Sequence, residues 1–304
     1  PQAQHAADFE SSIETKLMRH GLANESHRVA ATLFAVLALL LLSPLRAAAW
    51  GRNAQKLIAN QAIDTLPEDL RTFFEANRTF LLLHVNDPLD ELVKTPAEKR
   101  NNHLYLDKYG RFPFDLLPRS YKAALDKYGK SKLQSNGVLP WQIGVYSQKL
   151  TDDMKTGRWD EARLDAAILA DFVADAHDPF STTENFDGRL TEQRGVNERF
   201  GTALVDRYSS FFPMRPNDAA FIVDPTDHAF EVCLSSHSWL EPILLADRNA
   251  YLAGKSYSYN DAYYDRFYNQ AAAILIRQLS EASTDVGSYW LTAWTNAGKP
   301  PVPH

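Results

Sequence analysis

Residues 161–179 read EARLDAAILADFVADAHDP, and this stretch decides the fold class. An acidic residue opens it, apolar residues recur at intervals of three and four through Leu164, Ile168 and Phe172, and Pro179 closes it. That pattern predicts a helix over Glu161 to His177. At about 100° per residue, Leu164, Ile168, Asp171 and Asp175 share one narrow sector, the side expected to face the core. Two bare anions on a buried face require a metal, a basic partner or a shared proton. The plainer reading places Asp171 at the edge of that face and has Asp175 capping or bonding a neighbouring helix, since structural pairs also perturb titration.

Helical spacing continues on both sides. Ile58, Ala62 and Leu66 lead into Leu70, Phe73 and Phe74, while Tyr264, Phe267, Tyr268, Ala271 and Ile274 line one face of a helix expected over Asp261 to Ala282. Alternation of the strand type is scarce, and Phe221 to Val223 is the one run that suggests it. Loops are expected where Pro, Asn and Asp concentrate, at 86–99, 135–140, 182–195 and 214–225. The expectation is an all-α fold, a single multi-helix domain over residues 50–304.

Of the 304 residues, 45% are apolar and 12% aromatic, enough for one sizeable core. A net charge of −6 gives no overall support to a counterion-release nucleic-acid binder or a binder of anionic membranes. Cys233 is the only cysteine, which excludes an intramolecular disulfide and any Cys-rich zinc site. Residues 1–28 are expected to carry no fold, with Met18 as a candidate start. Arg28, the apolar run Val29 to Leu42, the Ser43-Pro44 break and Ala47-Ala48-Ala49 then describe a signal peptide over 29–49, cleaved before Trp50. Fourteen residues of apolar run are short of the about 20 that a spanning helix needs. Export to the periplasm or medium is the expectation; an uncleaved leader is the alternative and the one expected route to a membrane.

Other His/Asp pairs accompany the central one: His177 and Asp178 just beyond it, His84 and Asp87 three apart, His103 and Asp107 four apart. Nitrogen and oxygen donors of this kind suit a divalent cation, although each His alone is more often a packed polar residue.

The stretches Trp50-Gly51, Thr65-Leu66-Pro67, Asn102-His103-Leu104-Tyr105-Leu106-Asp107, Ala174-Asp175-Ala176-His177-Asp178-Pro179 and Tyr289 to Pro300 resemble, in order, the zinc-dependent phospholipase C and single-strand nuclease family. The resemblance implies a helical fold, an N-terminal Trp whose amine and carbonyl bind metal, and a cluster of three zinc ions. Carried over by position, Trp50, Asp87, His103 and Asp175 keep a ligand, and Asp87 takes the role of base beside the attacking water. Asp171 stands where the family has His. Gln55, Ser181, Asn197 and Gly201 replace the remaining ligands, and the last three together empty one zinc site. Glu198 lies about 100° round the helix from Asn197, so it offers no simple replacement. The implied cofactor is a divalent metal, zinc by resemblance, at one or two ions rather than three. The shift toward oxygen donors favours a harder ion such as Mg²⁺, Mn²⁺ or Ca²⁺.

Two functions follow. One is a phosphodiester hydrolase with slow, altered or lost catalysis; the other is a non-catalytic binding protein on the same fold. Phospholipid and single-stranded nucleic acid are equally open as substrate or ligand, and no obligate protein partner is implied. Tyr257, Tyr259, Tyr263, Tyr264 and Tyr268 are read as core packing before base-stacking surfaces. Lys94, Lys99 and Arg100 are read as solvated loop charge, and Asn77-Arg78-Thr79 is a glycosylation sequon only in a host that glycosylates.

Overall fold

Acidic first turns, side-chain caps and glycine stops set the helix boundaries along this chain. In the computed structural model, residues 50–94, 100–254 and 258–303 are described. The leader, its cleavage position, Lys99 and Tyr257 lie outside them. Every regular element among the described residues is helical: α1 (Arg52–Asp64), α2 (Glu68–Ala76), α3 (Arg78–His84), α4 (Asp87–Lys94), α5 (Tyr121–Asn136), α6 (Leu139–Thr156), α7 (Trp159–Ala176), α8 (Leu204–Tyr208), α9 (Pro225–His237), α10 (Leu240–Leu252) and α11 (Asp261–Asn296), with a π-helical turn over Glu198–Ala203. Glu68 and Asp69 occupy the first turn of α2, and Asp160 and Glu161 that of α7, where carboxylates complement the helix dipole. Asp224 accepts from Thr226 N and Asp227 N at the start of α9, with Pro225 in the first turn. Gly157, at φ 72°, ends α6 in the left-handed conformation.

The core forms where α11 packs against α1, α6, α7 and α10, and α6 packs against α7. Trp290 stacks on Phe74 at 4.3 Å and donates its indole N–H to Ala166 O, 3.0 Å away, fastening α11 to α7. Helix α7 is buried almost all round from Asp165 onward. Leu164 and Ile168, expected to mark its core side, are only half-buried. Between α6 and α7, Arg158 donates to Asp153 Oδ1 and Lys149 to Asp165 Oδ1, leaving Oδ2 of both aspartates buried without a hydrogen-bond partner. Burial first, and then the neighbouring Asp153 carboxylate, push the Asp165 carboxyl up to about 6 against the pull of Lys149.

Three expectations need correction. Helix α4 forms inside the 86–99 stretch read as loop: Pro88 is tolerated in a first helical turn, and Asn86 O accepts the Asp90 N–H at 3.0 Å. The C-terminal helix runs on past Ala282 to Asn296. Phe221 to Val223 is no strand. Instead the N–H groups of Arg215, Asn217, Ala220 and Ile222 donate to the hydroxyls of Ser280, Thr284, Ser288 and Thr292, one hydroxyl per turn of α11. A hydroxyl every four residues on one helix face thus satisfies an extended chain laid along it. Among the Tyr residues, Tyr263 is fully buried and Tyr264 and Tyr268 are half-buried against the core, in keeping with the packing reading.

Candidate metal-binding site

Asp171 and Asp175 sit one turn apart on α7 and are 1% and 3% exposed. No Lys or Arg among the described residues pairs with either carboxylate. Side-chain amides serve them instead. Asn102 Nδ2 donates to Asp175 Oδ2 at 2.8 Å and to Asp171 Oδ2 at 3.2 Å, and Gln55 Nε2 donates to Asp175 Oδ1 at 2.9 Å. Gln55 comes from α1 and Asn102 from the segment before the short 3₁₀ turn at Leu106–Tyr109, so three separate parts of the chain converge here. Gln55 Oε1 is itself buried and has no hydrogen-bond partner.

The electrostatics follow from this composition. Burial pushes the Asp171 carboxyl well above the ordinary carboxylate range, and the Asp87 charge adds to the rise while the Asn102 amide opposes it. Burial does the same to Asp175, reinforced by Asp171 and Asp178 and opposed by Asn102 and Gln55. Asp178 is pushed up to about 7 by burial, although it accepts the Phe180 N–H at 3.0 Å. A cluster with these properties holds either protons or a cation.

The other expected ligands are placed as follows. Asp87 begins α4 and lies within electrostatic reach of Asp171. His84 Nδ1 lies 2.7 Å from Asp87 Oδ2, so the pair three residues apart is a real contact. Trp50 is buried, its indole donates to Ala174 O at 2.8 Å, and its neighbour Gly51 donates N–H to Gly201 O at 3.3 Å. This sets the start of α1 beside the residue preceding Asp175. The His103 ring stacks on Tyr105 at 4.2 Å, and Tyr105 continues the stack to Phe186. Gly137, at φ +91°, packs so closely beneath it that a Cβ would lie 2.0 Å from His103 O. Asp107 accepts from Thr183 Oγ1 and Glu184 N, which makes it a loop clasp. Ser181 and Asn197 are buried, Gly201 lies in the π-helical turn, and Glu198 faces solvent. As they stand, no three His, Cys, Asp or Glu side chains among the described residues converge at metal-ligand distance.

Sequence reasoning missed a second cluster. Asp285 Oδ2 lies 2.9 Å from His177 Nε2 and 3.1 Å from His228 Nε2; Asp285 and His177 line a cleft of about 350 Å³ together with Glu231, Ser236 and Glu281. Burial alone would raise the Asp285 carboxyl, but the two imidazoles hold it well below the ordinary range, and the same contact raises His228. His177 is therefore tied to α11 as a partner of Asp285. Elsewhere, Asp247 gathers Arg199 Nε at 2.9 Å, Gln193 Nε2 at 2.7 Å and the Tyr263 hydroxyl into one buried network that ties the π-helical turn to α10 and α11.

No family model and no curated protein matches this chain.

Proposed function

We propose that this chain is an exported phosphodiester hydrolase of the zinc-dependent phospholipase C and single-strand nuclease type, with its metal complement reduced to one principal ion and its catalysis slowed or lost. The carrying observation is the buried pair Asp171 and Asp175, with amide partners and no cationic partner among the described residues. Net negative charge in a desolvated site fits a divalent ion chemically, and the partnerless Gln55 Oε1 adds an oxygen donor. Asp87, Asp171 and Asp175 would hold that ion, with His103 as the imidazole and Trp50 contributing at the domain start. The positions Ser181, Asn197 and Gly201 do not fit a second or third ion, because a small hydroxyl, an amide and a glycine supply no comparable donors.

When bound, such an ion acidifies a water and polarises a phosphoryl oxygen. The protein's own part is narrower. Asp87, its carboxylate held by His84, would accept a proton from water, while Asn102 bridges both buried carboxylates. Phospholipid and single-stranded nucleic acid remain the two substrate classes in view.

A binding role without turnover is the second reading, and one observation favours it: Gln55 and Asn102 occupy three carboxylate oxygens that a metal would otherwise take. Elemental analysis of the purified protein after incubation with Zn²⁺ or Mn²⁺, together with assays on phosphatidylcholine and single-stranded DNA, tests both. About one bound ion and slow metal-dependent turnover support the hydrolase; no turnover, with the amides keeping the carboxylates and little or no metal bound, supports the binding protein. Three ions per chain, or undiminished metal in Asp175→Ala, overturns the site.

A further inference from the structure

Residues 108–132 carry seven Lys or Arg against two Asp, in a chain whose net charge is −6. Part of this charge is spent internally. Lys108 pairs with Glu184, Lys122 with Asp126, and Arg119 with Asp227 and Glu231. Arg111, Lys127, Lys130 and Lys132 are exposed and have no carboxylate partner among the described residues.

Apolar groups protrude beside these cations. Between Tyr109 and Leu117 the chain forms a loop in which Phe114 and Leu117 are buried while Phe112 and Leu116 stand 67% and 58% exposed. Asp115 is the one carboxylate of that loop. The loop is held to the lysine helix: Leu116 O accepts both Lys127 Nζ, at 2.8 Å, and Tyr128 OH, at 2.9 Å. Phe114 anchors the inner side, edge-on to the His237 ring at 4.9 Å. A pinned loop that still presents Phe112 and Leu116 to water gains nothing from their exposure in the isolated chain.

We propose that the loop 110–117 and the lysines of α5 form a docking surface for an anionic lipid bilayer. Apolar side chains at a loop tip can enter the headgroup region, and nearby lysines are attracted to anionic headgroups at roughly fivefold in affinity each. Peripheral attachment needs both contributions, and this surface has both. No helix among the described residues is long and apolar enough to cross a membrane, so contact here is with the surface. Single-stranded nucleic acid suits the patch less well. The Tyr128 ring is covered by Lys127 and Lys132, at 5.3 and 4.7 Å, and Tyr109 is buried beneath Lys132, so neither ring is open to a stacking base. The inference does not depend on metal binding or turnover.

The test is co-sedimentation of the full chain with vesicles of phosphatidylcholine alone and of equal parts phosphatidylcholine and phosphatidylglycerol, at low and high salt. Binding should favour the mixed vesicles, weaken with salt, and fall about 25-fold in the double variant Lys130→Ala, Lys132→Ala, with an unchanged melting temperature. Cys233 is fully buried, so an environment-sensitive fluorophore can be attached selectively at Phe112→Cys, and its emission should shift to the blue on mixed vesicles. Wild-type binding by the lysine variant, as attachment through the leader alone would give, overturns the proposal. So does an unshifted fluorophore, or tighter binding to a single-stranded oligonucleotide that the lysine variant loses instead.

Discussion

One amide, Asn102 Nδ2, bridges the carboxylates of Asp171 and Asp175 and so joins two acids one helical turn apart. Without it both oxygens would face each other across a desolvated gap. Asn102→Ala removes two hydrogen bonds to buried acids and should destabilise the metal-free protein by about 2 to 3 kcal/mol, measured by urea denaturation. Added Mn²⁺ or Zn²⁺ should restore part of that loss, because a cation replaces the missing donor. An Asn102→Ala protein as stable as wild type would show that the bridge is incidental.

Gln55 reaches Asp175 through its amide nitrogen and leaves its oxygen unused. Gln55→His places an imidazole where the resemblance expects one. Zinc affinity measured calorimetrically should rise at least about tenfold, a change of the size that ligand-shell substitutions produce. Unchanged affinity would argue that α1 does not face the ion.

Asp87 is held by His84 at 2.7 Å and is the proposed proton acceptor. Asp87→Asn should weaken metal binding and, compared at saturating metal, still lower any metal-dependent turnover on the order of 10²-fold or more. His84→Ala, which loosens the carboxylate without removing it, should give a smaller loss that appears mainly in kcat. Equal turnover in wild type and Asp87→Asn would remove Asp87 from the chemistry.

Asp165 supplies one part of the pH dependence, beside Asp178, which burial pushes up to about 7. The Asp165 carboxyl is raised to about 6 in the folded protein against about 3.9 in an unfolded chain, so folding binds a proton between these values. The corresponding stability is fully present below about pH 3.9 and is lost as pH rises through about 6. Asp165→Asn, which stays neutral, should flatten this part of the stability curve when melting is followed from about pH 4 to pH 7. A variant curve parallel to wild type would place the proton elsewhere.

Much of the fold was legible in the sequence because helical spacing survives in Leu70, Phe73 and Phe74 and again in Tyr264, Phe267 and Ala271. Helix α4 was not, since Asp87-Pro88 reads as a turn when the Asn86 carbonyl that accepts Asp90 N–H is unseen. The run Phe221 to Val223 suggested a strand and is none; its support from α11 was hidden, because Ser and Thr at four-residue intervals look like ordinary polar positions. At the candidate site, Asp171 and Asp175 were visible by spacing on one helix. Their amide partners lie 69 to 120 residues away in sequence, and no periodicity marks such a residue. The pairing of His177 with Asp285, 108 residues apart, was hidden for the same reason.

The hydroxyl row of α11 has a consequence for how this protein behaves in company. An extended backbone with free N–H groups is a template on which another chain can add itself, and proteins ordinarily guard such a template with charge, bulges or a covering loop. Here the guard is a helix: Ser280, Thr284, Ser288 and Thr292 occupy the donors of Arg215, Asn217, Ala220 and Ile222. Those four small side chains, each unremarkable alone, keep neighbouring molecules from zipping together through that segment.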